Sequence, residues 1–369
     1  MLADIFMKSL QNRVFFLTMR TFAYYNANVR DIILYFQEKA LMKVTIKDIA
    51  KSAGVSYQTV SKALLGKGEV KEETAERIRK IAKEQGYIPS MTARTMATKK
   101  SHLIAIFLPR LAFSFYHKIL QGIENLANPN GYSVLLYLFE NTNIEDKLET
   151  LLSYQVDGII IFENHFSLGI LKRLEANDIL LLFVNSSDIP PNANHIAIDA
   201  YFGLKLVFEH LHKLNHRHVL LALSDHEAEM KRIEDAKKLP AEYDITLTTK
   251  VYCDNYSSAE VLKNFSVQDI QEGITAIVCT SDYIALPIMT TLQESGITVP
   301  EDISLIGFDD LEFSAFLHPP LTTIEQPKRE FGEKIFQTLL GLIQGEANQS
   351  ITIFPKLIVR GTTKMLKNS

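Results

Sequence analysis

From residue 103 onward the chain alternates short apolar runs with amphipathic stretches. The runs at residues 103–108, 134–138, 157–161, 180–185, 195–199, 218–223, 276–280 and 303–308 are each five or six residues long. That is the length of a strand buried on both faces. Residues 116–127 and 146–155 between them carry apolar positions at helical spacing. Strand and helix in alternation predict βαβ units on a parallel sheet. Residues 44–101 have a different texture, with short helical blocks and no apolar run. A T-x-x-D start at Thr45 predicts a helix carrying Ile46, Ile49, Ala50 and Ala53 on one side, with Asp48 in its positive first turn. Gly54 supplies the turn, and Ser56 is the N-cap of a second helix with Val60, Ala63 and Leu64 facing inward. A third helix is expected over residues 72–85, with Ile78 and Ile81 inside and Gly86 after it, and Tyr87-Ile88-Pro89-Ser90 stops it. Residues 90–98 then form a helical turn too short to be stable alone.

Two short helices on a tight glycine turn have the geometry that lays the second helix in a DNA major groove. The residues left pointing outward are Tyr57, Gln58, Ser61 and Lys62, and their chemistry fits. Gln58 can pair with adenine, Lys62 can donate to guanine O6 and N7, and Tyr57 can meet a base edge or a phosphate. The hydroxyls of Thr45, Ser56 and Thr59 are the expected contacts to the DNA backbone. Charge supports this reading. Residues 43–101 hold 13 basic and 6 acidic residues, a balance of +7, while the residues from 102 on carry −13 within a total of −4. A basic head on an acidic body is what results when one end alone meets phosphate.

The block VTIKDIAKSAGVSYQTVSKAL, followed by Tyr87-Ile88-Pro89 and Ala93-Arg94-Thr95-Met96, resembles the head of the lac repressor (lactose and galactose repressor) family. That family's pattern is V-T-x-x-D-[IV]-A-x-x-A-G-V-S-x-x-T-V-S, a Y-x-P and a hinge A-R-x-L. The resemblance implies that hinge helices of a dimer enter the minor groove at Ala93 and Arg94, with Met96 in the place of the leucine that wedges a base step. It extends through Val156-Asp157-Gly158-Ile159-Ile160, Asn215-His216-Arg217-His218-Val219, the block Val299 to Asp310 and Pro319-Pro320-Leu321-Thr322-Thr323-Ile324. It implies a body like a periplasmic sugar-binding protein, made of two Rossmann-like lobes. The expected fold is therefore a small all-α helix-turn-helix head plus an α/β periplasmic-binding-protein-like domain.

The expected divisions are a helix-turn-helix domain at 43–89, a hinge and linker at 90–101, and an effector-binding and dimerisation domain at 102–369. Within the last, lobe 1 takes 103–199 and 325–350, and lobe 2 takes 200–324 and 351–363. By resemblance Asp282 matches an aspartate that hydrogen-bonds sugar hydroxyls, and Arg232 matches the arginine of an R-x-x-G-F effector motif. Asp235 and Ala236 replace that motif's Gly and Phe, and Ser281 replaces the asparagine before the aspartate. An N-P-F-F loop is Phe113-Ser114-Phe115-Tyr116 here, which keeps the aromatic pair Phe115 and Tyr116 for a sugar face. The effector is expected to be a sugar or sugar derivative of altered recognition chemistry.

An enzyme is not expected, and no cofactor is implied. No G-x-S-x-G, G-x-x-x-x-G-K or G-x-G-x-x-G occurs, and His210, His212, His216 and His218 have no partner at zinc spacing. Cys253 and Cys279 form no C-x-x-C, as suits a reducing cytoplasm. A periplasmic solute-binding protein, the rival reading, needs an export signal. The apolar patch at residues 14–19 is flanked by Arg13 and Arg20 without a small-residue cleavage site. Residues 1–42 read as an extension with Met42 as the expected initiator. Six residues follow Thr363, with no heptad run for a tetramer, so a homodimer on a palindromic DNA operator is expected. Replacing Met96 by Gly is expected to reduce DNA bending and specific affinity. A circular-permutation gel assay measures this, and unchanged bending removes the wedge role.

Overall fold

The structure, a computed structural model, describes residues 44–65, 70–87, 95, 100–109, 114–139, 144–162, 166–186, 189–225, 238–254, 256–270 and 273–367. The chain divides into two compact units, residues 1–99 and 100–369. In the first, α1 (Ile46–Ala53), α2 (Tyr57–Leu65) and α3 (Glu72–Glu84) enclose a core of Ile49, Val60, Ala63, Ala75 and Ile78. Each fully buried aliphatic side chain contributes about 1.5–3 kcal/mol, so this core is small but sufficient to fix three short helices. Gly54 makes the α1 to α2 turn at φ 65°, where a side chain would be strained. Ser56 caps α2 by accepting the Thr59 N–H at 3.1 Å. Arg77 donates to the Ala53 carbonyl at 3.2 Å and Gln85 to the Ser52 hydroxyl at 2.8 Å, which ties α3 to the end of α1.

The second unit holds two parallel sheets. Residues 103–198 supply β1 (Leu103–Leu108), α4 (Ser114–Ala127), β2 (Ser133–Leu138), α5 (Ile144–Tyr154), β3 (Gly158–Phe162), α6 (Leu168–Glu175), β4 (Leu180–Val184) and β5 (Asn194–Ile198). The chain then builds α7 (Ala200–Lys213), β6 (His218–Ser224), α8 (Leu239–Glu242), β7 (Thr246–Cys253), α9 (Ser258–Asn264), β8 (Ala276–Cys279), α10 (Asp282–Glu294) and β9 (Ser304–Ile306). It ends with β10 (Thr323–Glu325), α11 (Lys328–Ile343), β11 (Ser350–Ile353) and β12 (Lys356–Ile358). The first sheet has the order β11-β5-β4-β3-β1-β2 and the second β7-β6-β8-β9, while β10 and β12 pair antiparallel.

Strand alternation divides each sheet between two cores. Along β1, Ile104, Ile106 and Leu108 pack with α4 and α11, while Ala105 and Phe107 pack on the other face with α5 and α6. Both faces are covered, which is why these strands are apolar throughout rather than alternating. In the second sheet, Leu220, Ala222 and Ile277 face α9 and α10, and Val219, Leu221 and Val278 face α7.

Four strands, β7, β10, β11 and β12, lie outside the apolar runs of the sequence, and two of them show why. The run Thr246–Cys253 is an edge strand with most of its side chains at least partly exposed, so its threonines and Lys250 hide the apolar signature. Residues 351–353 pair with β5 and extend the first sheet, although the expected lobe 2 began at 351. The physical reason is the free edge of β5, whose backbone groups are paired only if the returning chain adds a strand there.

The C-terminal segment closes over a buried histidine. His216 has no exposed surface. Its Nδ1 lies 2.9 Å from the Thr275 hydroxyl, and its Nε2 is 3.1 Å from both the Lys364 carbonyl and the Ser304 hydroxyl. Burial lowers its pKa from 6.5 to about 4, so it is neutral in the fold. The folded value lies below the unfolded one, so stability is lost as pH falls from 6.5 toward 4. At pH 5 the loss from this one group is about 2 kcal/mol. Urea unfolding at pH 7 and pH 5 should show a smaller acid loss in His216→Gln than in the unchanged protein, and equal losses would assign the effect elsewhere.

Candidate functional site

On the head, α2 turns Tyr57, Gln58 and Lys62 to solvent, with Ser61 and Thr59 half-buried beside them. The α2 N-terminus is thus an exposed row of a phenol, an amide and an ammonium on a rigid support, able to read donors and acceptors on base edges. Ser56 and Thr59 hydroxyls lie 2.9 Å apart. Thr45 gives its N–H and hydroxyl to the Asp48 carboxylate at 2.8 and 2.7 Å, which lowers the Asp48 pKa. Ala93, Arg94 and Met96 lie outside the described residues, as does Arg232.

In the body, the chain crosses between the sheets three times, after β5, after β10 and after β11. Phe115 and Tyr116 open α4 just past the carboxyl end of β1, where ligands bind in open α/β sheets. Their rings meet edge to face at 5.4 Å, and Tyr116 meets Phe162 at the end of β3 in the same way at 5.7 Å. Both are partly buried against the first core. The pair presents a firm apolar wall at the strand ends.

Asp282, at the start of α10, turns inward. Its carboxylate has no accessible surface, accepting from the Leu311 N–H at 2.8 Å, the Ser314 hydroxyl at 2.6 Å and the Thr323 hydroxyl at 2.7 Å. Burial pushes its pKa up to about 6, with the three donors opposing that shift. The approach is close enough that a Cβ on Gly307 would come within 2.0 Å of Oδ1. These bonds hold the 3-10 turn Glu312–Phe316 after β9. From it Glu312 reaches Lys118 on α4 at 2.7 Å, joining the two lobes across their carboxyl ends.

Other polar residues that follow the strands also serve the frame. Asn185 accepts the Ile198 N–H at 2.9 Å. Asp309 accepts from Ser281 at 2.9 Å and from Gln326 at 2.6 Å, and Asp310 pairs with Arg360 at 2.8 Å. Lys328 is buried among the carbonyls of Asp309, Asp310 and Gln326, and burial lowers its pKa against the pull of the two aspartates. Neither Lys118, Glu312 nor Lys328 stands out in the sequence, because single charges in loops and helix ends carry no spacing signal. Among the described residues no cluster of histidine, cysteine and carboxylate could hold a metal ion, and no helix is long and apolar enough to cross a membrane.

Residues 45–90 match the signature of bacterial regulatory proteins of the lacI family, and residues 208–363 that of a periplasmic binding protein-like domain. The chain is 30% identical over 335 residues to the HTH-type transcriptional repressor PurR of Vibrio vulnificus (strain CMCP6), covering 87% of this chain and 99% of that protein. It is 28% identical over 338 residues to the HTH-type transcriptional regulator DegA of Bacillus subtilis (strain 168), covering 88% and 99%. A crystal structure of the lac repressor dimer bound to operator and the anti-inducer ONPF superposes with a TM-score of 0.76 at 31% identity, covering 88% of this chain and all of that one.

The Asp282 geometry makes a stability prediction. Asp282→Ala strands three donors, two of them buried side chains, so it should lower the unfolding free energy by roughly 2–4 kcal/mol after the relief of carboxylate burial is offset. Urea titration measures this. A change within experimental scatter would mean the carboxylate does not hold the turn.

Proposed function

This chain belongs to the lacI family of bacterial regulatory proteins, and from that premise we propose that it is a homodimeric, ligand-responsive repressor of sugar uptake or catabolism genes. The observation that carries this is α2, which offers Tyr57, Gln58 and Lys62 to solvent from a buried three-helix core, in a chain whose remainder is a two-lobed α/β body. Tyr57, Gln58, Ser61 and Lys62 read base edges in the major groove, and Thr45, Ser56 and Thr59 meet phosphates. Ala93, Arg94 and Met96 enter the minor groove at the centre of a palindromic operator. The protein works in the cytoplasm, where that DNA is.

A sugar or sugar derivative binds between the lobes, stacked on Phe115 and Tyr116 and held by Arg232. Asp282 contributes through the turn it pins rather than through direct contact in the conformation observed. Closure around the ligand shifts the population toward one lobe arrangement, which changes the spacing and order of the two hinge segments. The basic head weighs against a solute-binding protein without a DNA role.

Selection of binding duplexes from a randomised library tests the assignment. Gln58→Ala should relax the preference at one base position at a cost of roughly 1–3 kcal/mol. An unchanged selected motif would sink the role given to Gln58.

A further inference from the structure

The chain enters the first lobe at Lys100–His102, where one carboxylate accepts three of its hydrogen bonds. Asp157 Oδ1 accepts the Ser101 N–H at 2.8 Å and the Ser101 hydroxyl at 3.0 Å, while Oδ2 accepts the His102 N–H at 3.0 Å. Ser101 is 2% exposed, and its hydroxyl oxygen also accepts the Leu103 N–H at 3.2 Å. The Asp157 N–H returns a bond to the Leu103 carbonyl at 2.8 Å. His102 lies at φ 56°, a left-handed conformation that a residue with a side chain keeps only when its surroundings impose it. Its ring rests on Tyr132 at 5.1 Å, and Lys100 donates to the Ile343 carbonyl at the end of α11 at 3.2 Å. Asp157 itself precedes β3, an interior strand of the first sheet flanked by β1 and β4. The clasp therefore sits on one of the most rigid parts of the lobe.

We propose that Asp157 is the positioning residue that couples the first lobe to operator recognition, by fixing where and in which direction the linker to the DNA-binding head leaves the sheet. Operator binding by a dimer needs both heads at a set spacing, so freedom at the base of each linker is entropy lost on the operator. Attraction of a basic head to phosphate needs no such spacing. Loosening the clasp thus lowers specific binding and spares nonspecific binding. The inference rests on the reading of the chain as an operator-binding dimer.

The test uses the full chain, the duplex it selects from a random library, and a scrambled duplex of the same composition. Asp157→Asn keeps the shape but turns an amide N–H toward one of the donors. It should weaken binding to the selected duplex by about tenfold or more and change binding to the scrambled one by less than about twofold, with an unchanged salt slope. Ser101→Ala should shift the same ratio by less. Ile161→Val, buried in β3 away from the linker, controls for lost stability. Equal losses on both duplexes, a loss reproduced by Ile161→Val at matched melting temperature, or no loss overturns the proposal. If the unchanged protein selects no duplex, the operator-binding reading fails first and takes this role of Asp157 with it.

Discussion

Where the chain crosses between the two sheets, backbone carbonyls and carboxylates are taken out of water, and each must find a donor inside the protein. Lys328 meets that demand by reaching the Gln326 carbonyl at the crossing after β10 and the Asp309 and Asp310 carbonyls beside it, and Arg360 and Gln326 satisfy the two neighbouring aspartates. Removing one member leaves a buried charge or carbonyl alone, which costs far more than an exposed pair contributes. The crossing is consequently the fixed point of the body. Each lobe has its own two-sided core, so a movement between lobes is borne by these short connections and leaves both sheets intact.

The same demand explains why several polar residues at the strand ends are not free to meet a ligand. Asp282, Asp309 and Asn185 all follow strands, the usual place for recognition groups, yet each is engaged with backbone or hydroxyl donors of the frame. A carboxylate buried with three donors fixes the turn that supplies two of them. The aromatic pair Phe115 and Tyr116 stands at the same strand ends, and its edge-to-face packing presents ring surface there.

The head was almost wholly legible in the sequence, because its spacing rules are local. Thr45, Gly54 and Ser56 set the helix limits, and Ile49, Val60 and Ile78 follow helical periodicity into the core. Strands buried on both faces were legible for the same reason, as apolar runs. What escaped were features decided by distant partners. Thr246–Cys253 is a strand because β6 offers it an edge, and residues 351–353 join the first sheet because β5 does. The resemblance pointed Asp282 at sugar hydroxyls, and only the return of Leu311, Ser314 and Thr323 to it shows which way it turns. Asp157 belonged to a recognisable motif, but its hold on Ser101 and His102 joins residues more than fifty positions apart.

A switch between lobe arrangements requires that neither be strongly preferred, since a minor state populated at about 0.1–10% is what a ligand of ordinary affinity can promote. The buried crossing is too costly to break and is common to any arrangement that keeps the connections. The contact between Lys118 and Glu312 is of the other kind. Their side chains are 35% and 74% exposed, so water and salt weaken the pair, and Glu312 sits on the turn that Asp282 pins. A strong interlobe bond would trap the cleft in one state, whereas a weak one biases it and still yields to a ligand. The fold therefore has firm interactions beside the crossing after β10 and a soft one between α4 and the turn after β9.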